Sequence, residues 1–162
     1  MTPLRWTLLL FGATAAIAAG AFAVAAATTH DDRSGTPEHA VRDFLINAVA
    51  EHDGLDACRY VTARSLLELR AADPPGMSCE AAVSSNAHLT LGGERVDTEA
   101  EVKALTYGAE PEPDDRMRVT VSARGRSRTF VLQPATQREL VEYDRPPTPW
   151  RIDSGLVELT RR

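Results

Sequence analysis

The N-terminal part of the chain contains a long segment without a charged side chain, which runs from Trp6 to Thr29. At a rise of about 1.5 Å per residue, a helix of this length crosses a hydrocarbon core of about 30 Å. Arg5 precedes the segment and Asp31 follows it, so the positive-inside bias places the N-terminus in the cytoplasm. We therefore expect residues 1–29 to form a single-pass anchor in the cell membrane, with the rest of the chain extracytoplasmic.

The same segment also fits a cleaved export signal, which would release the domain as a secreted protein. Small residues at Ala21, Ala23 and Ala25 provide cleavage sites of the A-x-A type. The apolar region of a cleaved signal usually spans about 7–15 residues, so the length of this segment favours the anchor.

The charge of the chain argues against a nucleic-acid partner. The whole chain has 18 Lys and Arg residues against 23 Asp and Glu residues. Arg5 is the one charged residue before His30, so the imbalance lies in the part that follows the apolar segment. Proteins that bind nucleic acid concentrate positive charge, and this chain carries the opposite excess.

Cys58 and Cys79 are the only two cysteines, and we expect them to form a disulfide. An even pair in an exported domain is typical of a disulfide, whereas a metal site would need further ligands. Closing a loop of about 20 residues stabilises a fold by roughly 3 kcal/mol. The alternative is two separate buried thiols.

The residues after the tether at 30–35 predict one α+β domain over 36–160, with helices first. Thr36 and Pro37 are typical of a helix start, and apolar residues at three- and four-residue spacings continue to a predicted end at Gly54. Further helical segments are expected over 55–60, over 63–72 after a Thr62 cap, and from Cys79 to about residue 89. The "GG" at 92–93 is interpreted as a turn from helix to strand.

Alternating polar and apolar residues predict the strands of an antiparallel sheet in the second half of the domain. One half-buried strand is expected over residues 94–110, followed by a hairpin around Gly125 and a closing strand that begins near Trp150. In the closing strand, Trp150 and Ile152 are predicted to face the core, and Arg151 and Asp153 to face away. The second hairpin strand could continue past Pro134 through "RELVEY".

The order of these elements resembles a known extracytoplasmic domain family. A long helix "TPEHAVRDFLINAVAEHDGLDACRYVT", a short helix "SCEAAV" and a final strand "PWRIDSG" are similar to nuclear transport factor 2-like (SnoaL-like) domains of bacterial membrane-anchored and secreted proteins. The resemblance covers residues 36–159. It implies a cone in which about three helices pack on a curved antiparallel sheet of about four strands, with a pocket at the open end. That superfamily holds enzymes and non-catalytic modules, so fold alone does not decide function.

Four aromatic residues are the candidates for lining such a pocket and binding a ligand: Tyr60, Tyr107, Tyr143 and Trp150. Their alternative role is packing in the core, with the hydroxyl or indole N–H satisfied at the rim.

The sequence presents no assembled catalytic or metal-binding group. The titratable candidates are His39, Asp43, His52, His88 and Asp153. His39 and Asp43 lie four residues apart and could share a hydrogen bond, but the apolar stripe of the helix places them on the face expected to be in solvent. The histidines lack the spacing of a metal site, and Ser154 lacks a nucleophile motif. We therefore predict neither a catalytic residue nor a cofactor.

An arginine cluster marks the predicted hairpin, with members at Arg116, Arg118, Arg124, Arg126 and Arg128. It could meet anionic lipid headgroups or an acidic partner, or it could keep an edge hairpin soluble.

These observations favour a non-catalytic, membrane-anchored domain that binds a partner protein or a small ligand outside the cytoplasm. One alternative is a pocket enzyme of the isomerase, dehydratase or hydrolase kind, or a carrier of a small hydrophobic molecule. Another is an accessory subunit of an envelope transport system.

Overall fold

The computed structural model describes residues 35–72, 78–136, 148–156 and 159. The predicted anchor, most of the predicted tether, the proposed extension of the hairpin strand and Tyr143 lie outside these residues. Within the described ranges, no helix combines the length and the apolar character that a membrane span requires.

Helices lead the fold, as the sequence predicts. In the described residues they are α1 (Pro37–Leu45), α2 (Gly54–Ala57), α3 (Ala63–Ala72), α4 (Cys79–Asn86) and α5 (Glu99–Ala104), with a π-helical turn at Ile46–Ala50 after α1 and a 3-10 turn at Cys58–Tyr60 after α2. The strands are β1 (Leu89–Leu91), β2 (Glu94–Val96), β3 (Thr106–Glu112), β4 (Arg116–Ala123), β5 (Arg126–Pro134) and β6 (Trp150–Ser154).

Helix α1 begins where its capping residues predict. The Thr36 hydroxyl accepts a hydrogen bond from the backbone N–H of His39 at 3.3 Å, and Pro37 occupies the first turn, where a missing N–H costs little. The apolar stripe of α1 is buried, with Phe44 and Leu45 at 1% exposure or less. Its burial fixes the orientation of the polar face of α1, which carries the site described below.

The main sheet is antiparallel and has the strand order β3-β4-β5-β6, whereas β1 and β2 form a separate hairpin. In the central pair, Val119 lies between Ala109 on β3 and Phe130 on β5. Val119 and Phe130 are buried in the same core as the apolar face of α1. The prediction of an α+β domain with helices packed on a four-stranded antiparallel sheet is therefore confirmed.

The predicted disulfide is also confirmed. Cys58 in the turn after α2 is bonded to Cys79 at the start of α4, with the two Cα atoms 6.2 Å apart. The bond joins two helical segments separated by 21 positions. Because disulfides persist in oxidising spaces, it indicates a location outside the cytoplasm.

The single strand predicted over 94–110 is wrong, because helix α5 interrupts it. Thr98 and Glu101 form a capping box: the Glu101 backbone N–H donates to the Thr98 hydroxyl at 3.3 Å, and the Thr98 N–H donates to the Glu101 carboxylate at 3.0 Å. These reciprocal hydrogen bonds satisfy two backbone N–H groups that a helix start leaves without partners. They therefore stabilise this segment as a helix instead of a strand. The alternation of polar and apolar residues in "ERVDTEAEVKA" is typical of a strand, and it hid this capping signal.

The roles predicted for Gly54 and for the pair at 92–93 both need correction. Gly54 begins α2 instead of ending the preceding helix, because the Asp53 carboxylate caps the new helix by accepting from the N–H of Asp56 at 3.1 Å. Gly92 and Gly93 form the turn between β1 and β2, with φ values of 63° and 85°. These backbone angles suit a strand-to-strand turn, in which glycine carries no steric cost.

Candidate functional site

A cavity of about 430 Å³ opens beside the N-terminal half of α1. Its walls come from α1 on one side and from the end of α5 and the start of β3 on the other. The lining residues are Thr36, Glu38, His39, Arg42, Lys103, Leu105 and Tyr107. We call this cavity the α1 pocket.

His39 is held on both sides of its ring. Its Nε2 lies 2.9 Å from Asp43 Oδ2, and its Nδ1 lies 2.6 Å from Nη2 of Arg42. A guanidinium can only donate, so Nδ1 must accept and the ring proton of neutral His39 resides on Nε2, where it is donated to Asp43. Both imidazole nitrogens are therefore engaged within the protein.

The carboxylate of Asp43 contacts the ring of His39, and the side chain is partly buried. Burial raises the pKa of Asp43 above its usual range, while the charge of His39 and that of Arg42 act in the opposite direction. Its side chain is 28% exposed, so the face of α1 that carries Asp43 and His39 is half-buried. The expectation that this face is solvated is wrong, because the α5–β3 corner encloses it.

The phenol of Tyr107 closes one side of the α1 pocket. Its hydroxyl donates to the backbone carbonyl of Val102 at 2.8 Å, and burial raises its pKa above the ordinary value. Tyr60 is only 7% exposed and lies in the 3-10 turn after α2. Burial, followed by the negative charge of Asp43, raises the pKa of Tyr60 to about 12. Both phenols therefore stay protonated near neutral pH.

The remaining aromatic candidates are placed differently. Trp150 on β6 is half-buried, and its indole N–H donates to the Gly35 carbonyl at 3.0 Å. Tyr143 lies outside the described residues. Of the four predicted aromatic residues, Tyr107 lines the α1 pocket, whereas Tyr60 and Trp150 are not among its lining residues.

A second polar cluster surrounds Asp153 on β6. The Asp153 carboxylate is 5% exposed; it accepts from the Thr62 hydroxyl at 3.0 Å and is ion-paired with Arg116. Arg151 is 1% exposed, and its Nη1 donates to the Thr148 carbonyl at 2.6 Å. Arg151 and Asp153 were predicted to face away from the core, yet both are buried. Their partners indicate a role in joining β6 to neighbouring segments.

Most of the arginine cluster on the hairpin is ion-paired. Arg116 pairs with Asp153, Arg118 with Glu112, and Arg124 with Glu94. These pairs neutralise part of the charge that an anionic surface would meet. They support the interpretation of a charged, soluble hairpin.

The site joins the pair of His39 and Asp43, which the sequence predicted, to Arg42 and Lys103, which the sequence did not single out. His39, Arg42 and Asp43 follow an H-x-x-R-D spacing, which places all three within one helical turn of each other. Lys103 enters the same site from α5. The spacing was visible in the sequence, but the enclosure of that face was not.

No metal centre competes with this interpretation in the described part of the chain. There, no group of three or more His, Cys, Asp or Glu side chains is arranged to hold a metal ion. Comparison with known proteins adds no relative. No protein-family model, curated protein or solved structure matches the chain. The site is therefore interpreted from its own geometry.

Proposed function

We propose that this chain is a non-catalytic, membrane-anchored domain that binds a small ligand in the α1 pocket outside the cytoplasm. The extracytoplasmic location is supported by the disulfide between Cys58 and Cys79 and by the apolar segment 6–29. The order of helices before a four-stranded antiparallel sheet supports the proposed nuclear transport factor 2-like cone, in which the α1 pocket is the ligand cavity.

The proposal depends on the hydrogen bonds that already occupy His39 and Tyr107 in the α1 pocket. A general base needs a lone pair directed at the substrate. His39 has its Nδ1 occupied by Arg42 and its Nε2 by Asp43, and the Tyr107 hydroxyl is bonded to Val102. These groups therefore form a fixed wall around an open cavity, which is a binding geometry.

A pocket enzyme is the second candidate, and the His39–Asp43 pair is the observation that favours it. Raising the pKa of Asp43 brings a carboxylate closer to the range useful for proton transfer. For His39 to act as a base, Arg42 would first have to leave Nδ1. Catalysis by His39 therefore requires a rearrangement in the pocket.

Native mass spectrometry of the full-length protein, extracted from membranes in a mild detergent, tests the proposal. We expect a bound small molecule to be retained by the wild type and lost on Leu105→Trp, which fills the cavity. Leu55→Trp is the matched control, since Leu55 is 65% exposed and does not line the α1 pocket.

Two results would contradict the proposal. One is an adduct retained equally by both tryptophan variants, since the molecule would then be bound elsewhere. The other is wild-type protein that carries no small molecule from any preparation. Recovery of a shortened chain in the soluble extracellular fraction would replace the anchor with a cleaved signal.

A further inference from the structure

We propose that the α1 pocket binds a small organic carboxylate through Arg42 and Lys103, and that His39 is the positioning residue that holds Arg42 at the pocket wall. This proposal rests on the ligand-binding function proposed above and names the chemical class of its ligand.

Two cations from different elements face the cavity. Arg42 comes from α1 with its side chain 32% exposed, and Lys103 comes from α5 with its side chain 56% exposed. The ion pair between Lys103 and Glu99 is exposed and spaced four residues apart on one helix, so it contributes little and can exchange for a ligand. Because both positive side chains line the same cavity, an anion bound there would be attracted by both.

Arg42 retains binding capacity despite its contact with His39. Its Nη2 donates to a neutral imidazole, and its Nε is buried without a hydrogen bond in the described part of the chain. The nearest Asp43 oxygen is 3.8 Å from that Nε. A guanidinium presents five N–H donors in a planar fork that matches a carboxylate. Because the Nε is enclosed, a carboxylate in the cavity would meet the remaining η N–H groups of this fork.

The remaining walls select a monovalent anion with an apolar body. Leu105 and Tyr107 form the apolar side of the cavity beside the two cations. Glu38 also lines the cavity and would repel a second negative charge on the ligand. A cavity of about 430 Å³ has room for a ring or a short chain next to the charged group.

His39 links binding to pH. Histidine is the side chain that ordinarily changes charge between about pH 5 and 8. A proton on Nδ1 would turn an acceptor into a donor that faces the Arg42 guanidinium, so the hydrogen bond that holds Arg42 would be lost. The charged and titratable groups around His39 are Glu38, Arg42 and Asp43 on α1, Lys103 on α5 and Tyr107 on β3. Protonation of His39 thus adds a positive charge at the cavity and releases the Arg42 guanidinium from its hydrogen bond. Both effects strengthen the binding of an anion.

Ligand-observed fluorine NMR on the full-length protein in neutral detergent tests the charge requirement. The probes are 4-fluorobenzoate and its neutral counterpart 4-fluorobenzamide. We expect the benzoate to bind more tightly, and Arg42→Gln to weaken its binding about tenfold or more, since one charge-assisted hydrogen-bond site is lost. Lys103→Gln, at an exposed side chain that tolerates change, should weaken it several-fold. Arg95→Gln removes a positive charge outside the α1 pocket and should have no effect.

The pH profile tests the role of His39. Between about pH 7.5 and 5.5 the benzoate stays ionised, because carboxyl pKa values lie near 4. We expect its affinity to rise as the pH falls, and His39→Gln to abolish that rise. His52→Gln is the matched control, because His52 is exposed near the start of α2 and should leave the profile unchanged.

Three outcomes would overturn the inference. If the benzamide binds as tightly as the benzoate and Leu105→Trp abolishes both, the pocket binds ligands but not by charge, and the proposed function survives. If Arg42→Gln and Arg95→Gln weaken benzoate binding equally, the pocket does not hold the anion. If neither probe binds and native mass spectrometry finds no adduct, the inference and the proposed function fail together.

Discussion

Asp153 illustrates, at the scale of single residues, how a charge can be buried in a small domain. Burying an unpaired carboxylate costs several kcal/mol, whereas hydrogen bonds and ion pairs offset that cost. Asp153 has the Thr62 hydroxyl and the Arg116 guanidinium, while a second arginine, Arg64, lies 3.8 Å away. Sequence alternation predicted that this side chain faces away from the core, because the pattern carries no information on the partners that enclose it.

We expect Asp153→Asn to destabilise the fold by about 2 kcal/mol, because it removes the charge that Arg116 and Thr62 stabilise in a buried position. Asp97→Asn is the control, since the ion pair of Asp97 with Arg95 is exposed and its loss should cost within about 1 kcal/mol. Equilibrium denaturation measures both. Equal losses would show that Asp153 contributes no more than a surface carboxylate.

Two carboxylates should affect stability against pH with opposite signs. Burial raises the pKa of Asp43, so the folded state retains a proton that the unfolded chain has released above the ordinary value of 3.8. Stability from this group therefore falls as pH rises through the window above 3.8. Backbone and hydroxyl hydrogen bonds, led by the Asp97 N–H, lower the pKa of Glu101 below 4.5, so its contribution is lost as pH falls below that value.

The measurement is the unfolding free energy of wild type, Asp43→Asn and Glu101→Gln between about pH 3 and 7. Relative to wild type, Asp43→Asn should become more favourable as pH rises from 3.8, and Glu101→Gln more favourable as pH falls below 4.5. Parallel curves for the two variants would contradict the opposite environments assigned to these carboxylates.

Close approach between helices shapes the fold at the scale of its elements. Gly54, at the start of α2, packs directly on α4, and its N–H donates to the Ser84 hydroxyl at 3.1 Å. A β-carbon on Gly54 would lie 2.6 Å from that hydroxyl oxygen and would also collide with the Glu80 carbonyl. The absence of a side chain therefore sets the spacing of α2 and α4, which the disulfide then fixes.

We expect Gly54→Ala to destabilise the domain by about 1–3 kcal/mol through overpacking between α2 and α4. Gly108→Ala is the matched control, because a β-carbon there meets open space on β3. It should be neutral or stabilise by about 0.5–1 kcal/mol, since glycine weakens a strand interior. Denaturant midpoints give both values. A neutral Gly54→Ala would show that the helices can separate at no cost.

The disulfide acts at the scale of the whole molecule, because it ties the opening helical region to the segment that leads into the strands. Cys58 and Cys79 are 21 positions apart, and a loop of this length corresponds to about 3 kcal/mol of stabilisation in the chain-entropy account. Core residues from α1, β4, β5 and β6 close the same hydrophobic cluster. The bond thus supports a core to which distant parts of the chain contribute.

Cys58→Ser and Cys79→Ser should each lower the unfolding free energy by about 3 kcal/mol, and the double variant should lose little more. Both single changes break the same bond, so their effects are not additive. Thermal and chemical denaturation under non-reducing conditions measure the cycle. Clearly additive losses would contradict a bond between these cysteines in the native protein.

The sequence by itself determined the helices-first order, the α1 start at Pro37, the hairpin around Gly125 and the disulfide. Each has a local chemical signal: a cap, an alternation or a single pair of cysteines. Helix α5 also had such a signal in its capping box, but alternation hid it.

Only the tertiary structure decided that His39 borders a cavity and that Arg151 and Asp153 are buried. The periodicity of a helix or strand shows which side chains share a face, but enclosure depends on what packs opposite. For α1 that is the α5–β3 corner, some 60 residues further along the chain. Contacts over such a separation are set by the packing of the whole core, which a local pattern does not encode.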